Sequence, residues 1–136
     1  MRVFLDTNVI VAAVATRGLC ADVFRDTLAR HDLVASEDLL SEILRVLPDK
    51  LGVPAEIVNE IIALLRESAH LSEPAWTIDL SIKDRADQGL ISAAIEARVE
   101  LFVTGDRELL DLKSLGKMEI VSPRAFWERI RGKARG

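Results

Sequence analysis

Four acidic residues, far apart in the sequence, stand where a predicted strand ends or a predicted helix begins. Asp6 directly follows an apolar strand over residues 3–5, and Asp106 follows a second apolar strand late in the chain. Glu42 and Asp87 lie near predicted helix starts. In an open parallel sheet these positions face the carboxyl edge of the strands, where ligands bind. The pattern therefore predicts that the four carboxylates meet at one place.

Such a cluster of carboxylates calls for a cation. Two carboxylates about 4 Å apart repel each other by roughly 4 kcal/mol at an effective dielectric near 20. The chain has one cysteine, Cys20, and two histidines, so a site built on thiolates is excluded. Oxygen ligands favour a hard cation, Mg²⁺ or Mn²⁺. A site of this kind activates water and neutralises charge on a phosphodiester.

Each acid also has an ordinary structural explanation. Asp6 and Asn8 could cap the helix that follows them, and Asp106 could cap a short helix in the same way. Asp84 and Asp87, three residues apart, resemble a loose capping box. Glu42 could be a solvated surface residue. From the residues alone, a metal site and a set of scattered caps both stay open.

Length and composition bound the fold class. The chain has 136 residues, 49% of them hydrophobic and only 4% aromatic, which predicts one domain, residues 1–136, with helices packed on a small parallel sheet. No signal peptide or apolar run of membrane-spanning length is visible, so we expect a cytoplasmic protein with no membrane association. The net charge of −4 does not favour a protein that coats nucleic acid, but acidic metal ligands would themselves lower the charge of a nuclease.

The elements that must position the acids alternate along the chain. Hydrophobic patterning predicts strands over residues 3–5, 33–35, 100–104 and 118–121. Helices are predicted over 9–17, 21–31, from the cap Ser36 to Pro48, over 57–65 and 84–98, briefly after 106, and after Pro123. Residues 70–82 are predicted to be irregular or weakly extended. This alternation is typical of an α/β fold with a parallel sheet between helical layers.

Four stretches of the sequence resemble the PIN-domain family. They are FLDTNVIVAA, SEIL around Glu42, DRADQGLISAA around Asp87 and LFVTGDRELL around Asp106, and they occur in the family's order over nearly the whole chain. The pairing of DTNV after the first strand with VTGD near the end is the most specific feature. The likeness is to the compact bacterial group of VapC-like toxin components of toxin–antitoxin systems.

The resemblance implies a three-layer α/β/α sandwich and a ribonuclease that cleaves single-stranded RNA with Mg²⁺ or Mn²⁺. It implies that Asp6, Glu42, Asp87 and Asp106 are both the catalytic acids and the metal ligands. Asn8, Thr104 and Arg107 would assist, Asn8 by orienting a carboxylate or a water and Thr104 by hydrogen bonding near Asp6. The expected partners are RNA, a cognate antitoxin and a second copy of the chain in a homodimer.

Several alternatives stay open. Asp84 and Asp87 can each claim the third-ligand role, and we favour Asp87 because Asp84 is the better cap. Gln88 stands where relatives often carry a charged residue. A phosphatase of the haloacid-dehalogenase type would need a second aspartate at position 8, where this chain has Asn8. A catalytically inactive PIN-like module that binds RNA or protein is the main competing reading.

Overall fold

The computed structural model describes residues 1–135, which form six strands and seven helices within that range. The strands are β1 (Arg2–Leu5), β2 (Asp32–Ala35), β3 (His70–Leu71), β4 (Leu101–Val103), β5 (Ser114–Leu115) and β6 (Met118–Val121). The helices are α1 (Thr7–Ala15), α2 (Leu19–Arg30), α3 (Glu37–Leu51), α4 (Ala55–Ser68), α5 (Arg85–Glu96), α6 (Arg107–Leu110) and α7 (Pro123–Arg135).

One mainly parallel sheet organises the chain, in the order β3-β2-β1-β4-β6-β5. All neighbours pair in parallel except β5, which runs antiparallel to β6. The chain moves from β1 through β2 to β3 and then returns to β4 on the other side of β1. Because parallel crossovers are right-handed, this reversal places the helices of the first two crossovers (α1 to α4) on one face and α5 on the other. The expected three-layer α/β/α sandwich is confirmed.

The two central strands, β1 and β4, are buried on both faces. Val3, Phe4 and Leu5 of β1 have no exposed surface, and β4 is equally covered. The rings of Phe4 and Phe102 stack with their centroids 5.2 Å apart. Burial on both faces explains why these strands are continuous apolar runs without alternation. The two strands whose C-terminal ends carry the site residues are therefore tightly packed on both faces.

One prediction about the elements was wrong, and two short strands were not identified. Helix α3 does not end at Pro48 but runs through it to Leu51. Pro48 has no N–H to donate to the carbonyl of Leu44, four residues earlier in the helix. Leu44 is 43% exposed, so water can donate to that carbonyl instead. Residues 70–71, at the start of the stretch predicted to be irregular or weakly extended, are extended and pair with β2 as β3, and residues 114–115 form β5, which was not predicted.

Within residues 1–135, no single helix is both long and apolar enough to cross a membrane. Helices α1 and α2 reach that length and composition only as a pair, and the two are bent by 109° at the break between them.

The glycine that ends α3 offers a test of the revised helix boundary. Gly52 has φ +63° and its N–H donates to the carbonyl of Pro48, while Val53 N–H donates to Leu47 O. We expect Gly52→Ala to lower the free energy of unfolding by about 1 kcal/mol, because a side chain is strained in the left-handed region. Chemical denaturation measures this, with Gly52→Asn as the control at the same position, since asparagine tolerates the left-handed region. Equal stability of the two variants would contradict the prediction.

Candidate active site

The candidate site lies where β1 and β4 end side by side. Leu5 is in register with Val103, and the N–H of Asp6 donates to Val103 O at 2.9 Å. The crossovers that leave β1 and β4 go to opposite sides of the sheet, to β2 and β6. Such a switch point opens a crevice at the carboxyl edge of a parallel sheet, which is the usual ligand site of these folds.

The hydroxyl of Thr104 joins the two strand ends. It donates to Oδ2 of Asp6 at 2.7 Å and accepts the N–H of Asp106 at 3.0 Å. Thr104 is fully buried and Asp6 is only 3% exposed. The other oxygen of Asp6 accepts the N–H of Thr7 at 2.7 Å, so Asp6 also caps α1. The capping explanation for Asp6 is thus correct, and it does not conflict with a role in the cleft.

Asn8 bridges the same two strand ends from the first turn of α1. Its amide nitrogen donates to Oδ2 of Asp6 at 3.2 Å, and its amide oxygen accepts the N–H of Gly105 at 3.0 Å. A Cβ on residue 105 would lie 3.3 Å from that oxygen, which is tighter than ordinary contact. Gly105 therefore lets the chain after β4 approach Asn8 closely, and Asn8 orients the Asp6 carboxylate.

Glu42 reaches the cleft from α3 through a residue that the sequence analysis missed. The hydroxyl of Thr7 donates a short hydrogen bond to Oε2 of Glu42. Thr7 is buried and lies in the first turn of α1, directly after Asp6. A threonine between two candidate site residues, in a turn that a capping aspartate already fixes, was the available signal. Two other acids near the start of α3, Glu37 and Asp38, occupy its first turn, and Glu37 pairs with Arg66 on α4.

Asp84 and Asp87, the two candidates for the third ligand, have different environments in the structure. Asp84 is exposed and its side chain accepts the N–H of Ala86 at 2.9 Å, which makes it the N-cap of α5. Asp87 is buried, and within the described residues its carboxylate accepts no hydrogen bond from a side chain or a backbone N–H. Both residues line the cleft, but the carboxylate that accepts no hydrogen bond from the described residues is the one with most to gain from a cation.

Asp106 is the fourth acid at the cleft, and Arg107 is beside it. Oδ1 of Asp106 accepts the N–H of Glu108 at 2.9 Å and so caps the short helix α6. Arg107 is exposed and forms no ion pair within the described part of the chain. Its guanidinium is therefore available to an anion beside the cleft.

These acids surround one cleft of about 470 Å³. Burial is the main cause that raises the pKa of Asp6 to about 6, and the bonds from Thr104 and Thr7 oppose that effect. Burial also raises the pKa of Asp87 to about 7, with further contributions from the negative charges around it. The apolar wall of the cleft comes from α1 and α3 and consists of Val11, Ala12, Ala15, Val46 and Leu51.

A hard divalent cation fits this donor set. The groups around the cleft are carboxylate, hydroxyl and amide oxygens, the ligands that Mg²⁺ and Mn²⁺ prefer. Across residues 1–135, no three His, Cys, Asp or Glu side chains converge closely enough to bind one ion together. Mg²⁺ commonly keeps several waters and takes only one or two carboxylates directly, so the arrangement suits an ion that retains part of its water shell. Direct ligation by all four acids stays a prediction.

The raised pKa of Asp87 predicts how the metal-free protein responds to pH. Because this pKa is about 7 in the fold against an ordinary 3.8, the folded protein binds more protons between about pH 4 and pH 7. The free energy of unfolding therefore falls as pH rises through that window. In EDTA at pH 8 we expect Asp87→Asn to be more stable than the wild type by about 2 kcal/mol. That is roughly half of what about 1.4 kcal/mol for each unit of pKa would give, since solvent screens the open side of the cleft.

Chemical denaturation at pH 4 and pH 8 measures this difference, which should nearly vanish at pH 4. The matched control is Asp32→Asn at the opposite edge of the sheet, where the residue is exposed. A surface substitution of this kind should change stability by less than about 0.5 kcal/mol at either pH. An Asp87→Asn protein less stable than the wild type at pH 8 would contradict the electrostatic account.

Comparisons with known proteins give the family and support the fold. The sequence matches the family model described as PIN domain over residues 2–108. No curated protein matches the sequence significantly. Two solved structures share the fold over almost their whole length. VapBC2 from Rickettsia felis, bound to a DNA fragment from its promoter, has a TM-score of 0.62 at 14% identity, over 90% of this chain and 98% of that one.

The second structure is VapBC-1 from nontypeable Haemophilus influenzae, with a TM-score of 0.64 at 18% identity. It aligns over 91% of this chain and 99% of the other. The matched range, residues 2–108, spans the positions of all four acids and of Asn8 and Thr104. This chain belongs to the PIN domain family.

Proposed function

We propose that this protein is a Mg²⁺- or Mn²⁺-dependent endoribonuclease that cleaves single-stranded RNA. The observation that carries the proposal is the gathering of Asp6, Glu42, Asp87 and Asp106 around one cleft at the switch point of the sheet. Two of these carboxylates have raised pKa values, as expected of acids that are placed together to hold a cation. Membership of the PIN domain family supports a nuclease activity.

The residues of the cleft would have separate tasks in hydrolysis. A divalent cation bound there supplies Lewis acidity, which lowers the pKa of a water and offsets charge on the phosphate. Thr104 and Asn8 hold Asp6 in one orientation, and Thr7 does the same for Glu42. The acids would orient a water so that its oxygen bonds to phosphorus while the bond to the leaving oxygen breaks; a carboxylate would take up one proton of the water, and the leaving oxygen would be protonated in turn. Arg107 would contact a neighbouring phosphate of the strand.

We further propose that the protein is the toxin of a toxin–antitoxin pair and forms a homodimer. The sequence resemblance supports this role, and the two solved structures with the same fold are VapBC proteins. Helix α4 buries Val58, Ile62 and Leu65 in the core. Its side chains Ile57 and Leu64 remain 41% and 37% exposed, which leaves an apolar face for a second copy.

Loss of the Asp6 charge should abolish cleavage. We expect the purified wild type to cleave labelled single-stranded RNA in Mn²⁺ or Mg²⁺ and not in EDTA. Asp6→Asn keeps the shape of the side chain but removes a negative charge that would help to hold the cation. The loss of about 4 kcal/mol of transition-state stabilisation should lower kcat/KM by roughly a thousandfold. The control is Asp32→Asn, the same change at the far edge of the sheet. Cleavage that persists in EDTA or in Asp6→Asn would contradict the proposal, and binding without cleavage would favour an inactive RNA-binding module.

The two candidate third ligands can be separated by matched substitutions. Asp84→Asn keeps an N-cap of similar strength for α5, so cleavage should stay within a fewfold of the wild type. Asp87→Asn removes the buried carboxylate and should reduce kcat/KM by at least about a hundredfold, with the fold retained. Steady-state cleavage at saturating Mn²⁺ measures both. The reverse ranking of the two variants would transfer the third-ligand role to Asp84.

A further inference from the structure

The chain between β3 and α5, residues 72–84, has no regular structure and is held by hydrogen bonds to α5. Ser72 donates to Ala93 O, and the indole of Trp76 donates to Glu96. The N–H groups of Ile78 and Leu80 donate to Ser92 Oγ at 2.8 Å and to Gln88 Oε1 at 3.0 Å. From Trp76 onward the segment therefore runs back along α5 toward its N-terminus, with bonds to Glu96, Ser92 and Gln88 in turn.

The last bond of this segment goes to a different helix. The N–H of Lys83 donates to Oε1 of Glu108 on α6 at 2.9 Å. The N–H of the same Glu108 donates to Oδ1 of Asp106 at 2.9 Å. In the part of the chain that the structure describes, the Lys83–Glu108 bond is the only hydrogen bond that joins segment 72–84 or α5 to α6. One glutamate thus links the turn that carries Asp106 to the residue before Asp84.

This link connects acids that the sheet itself does not connect. Asp87 stands in the first turn of α5, which follows β3, whereas Asp106 follows β4. Asp106 and Asp84 both act electrostatically on Asp87, so the two turns repel each other. An acid in the first turn of a helix is ordinarily explained by the helix dipole. The helix dipole does not account for the position of the Glu108 carboxylate, because this carboxylate accepts a backbone N–H from a residue 25 positions away in the sequence.

We propose that Glu108 is a positioning residue that holds the start of α5, and with it Asp87, at a fixed distance from Asp106. The inference rests on the proposed function, because it treats these acids as the place where a divalent cation binds. Glu108 itself does not line the cleft of the acids, so it acts through the segment and not on the ion.

The test measures the affinity of the metal-free protein for Mn²⁺ by titration, with free Mn²⁺ followed by EPR, and needs no RNA. Glu108→Leu removes the acceptor at similar size, and the affinity should fall by about 10- to 100-fold, as for other outer-sphere partners of metal sites. Glu108→Gln keeps an acceptor for the Lys83 N–H, so its affinity should stay within about threefold of the wild type. Such recovery would separate positioning from a general need for negative charge.

The matched control is Glu96→Leu. Glu96 also holds segment 72–84, through Trp76, but at the far end of α5. Both leucine variants lose one bond to the segment, yet only Glu108→Leu should lose Mn²⁺ affinity. Thermal unfolding in EDTA, performed in parallel, shows that both variants fold.

Three results would overturn the inference: wild-type affinity in Glu108→Leu, an equal loss in Glu96→Leu, or a loss in Glu108→Gln as large as in Glu108→Leu. The proposed function fails separately. If the wild type binds Mn²⁺ and cleaves no RNA, but Glu108→Leu still loses affinity, the positioning role stands and the ribonuclease assignment falls. If the wild type binds no Mn²⁺, both are wrong.

Discussion

The parallel pairing of β1 with β4 is the constraint on which the rest of the site depends. It places Asp6 beside Thr104 at the one point where the crossovers of the sheet diverge. Stacked phenylalanines and buried aliphatic side chains fix the two strands, so their ends cannot move apart without opening the core. The fully buried hydroxyl of Thr104 then holds the Asp6 carboxylate in one orientation. The chemistry of the cleft thus uses rigidity that hydrophobic burial supplies.

The cleft has an electrostatic cost that the fold alone does not remove. Asp6 has hydrogen-bond donors for both of its oxygens, yet burial still raises its pKa. Asp87 has no such donors, and its pKa is raised further than that of Asp6. Structural carboxylates are normally paired with donors or cations, because an unpaired buried charge is expensive. Acids that remain without compensation in a folded protein are typical of sites where a ligand provides it.

The same residues have structural and chemical roles at once. Asp6, Asp84 and Asp106 all cap helices, as the simplest interpretation of their positions predicts. In this fold, helices begin where strands end, so a cap at the carboxyl edge of the sheet is also a side chain in the crevice. Capping fixes the orientation of each carboxylate, since a backbone N–H occupies one side of it. The two interpretations that the sequence left open are therefore compatible.

The sequence by itself determined the fold class, most of the elements and the acids of the cleft, because apolar runs and capping residues are local signals. Hydrophobic patterning identified β1, β4 and the helices on either side, and motif order identified Asp6, Glu42, Asp87 and Asp106. It predicted residues 70–82 to be irregular or weakly extended without identifying β3, and it did not predict β5, because pairing with a neighbour creates these two-residue strands. It predicted that α3 ends at Pro48, but burial of the helix outweighs one lost hydrogen bond. Only the tertiary structure decided that Asp87 is buried while Asp84 is exposed, that Thr7 holds Glu42, and that Glu108 reaches Lys83. These are contacts between distant segments, and no local pattern of residues specifies which side chains the packing of the helices on the sheet will bring together.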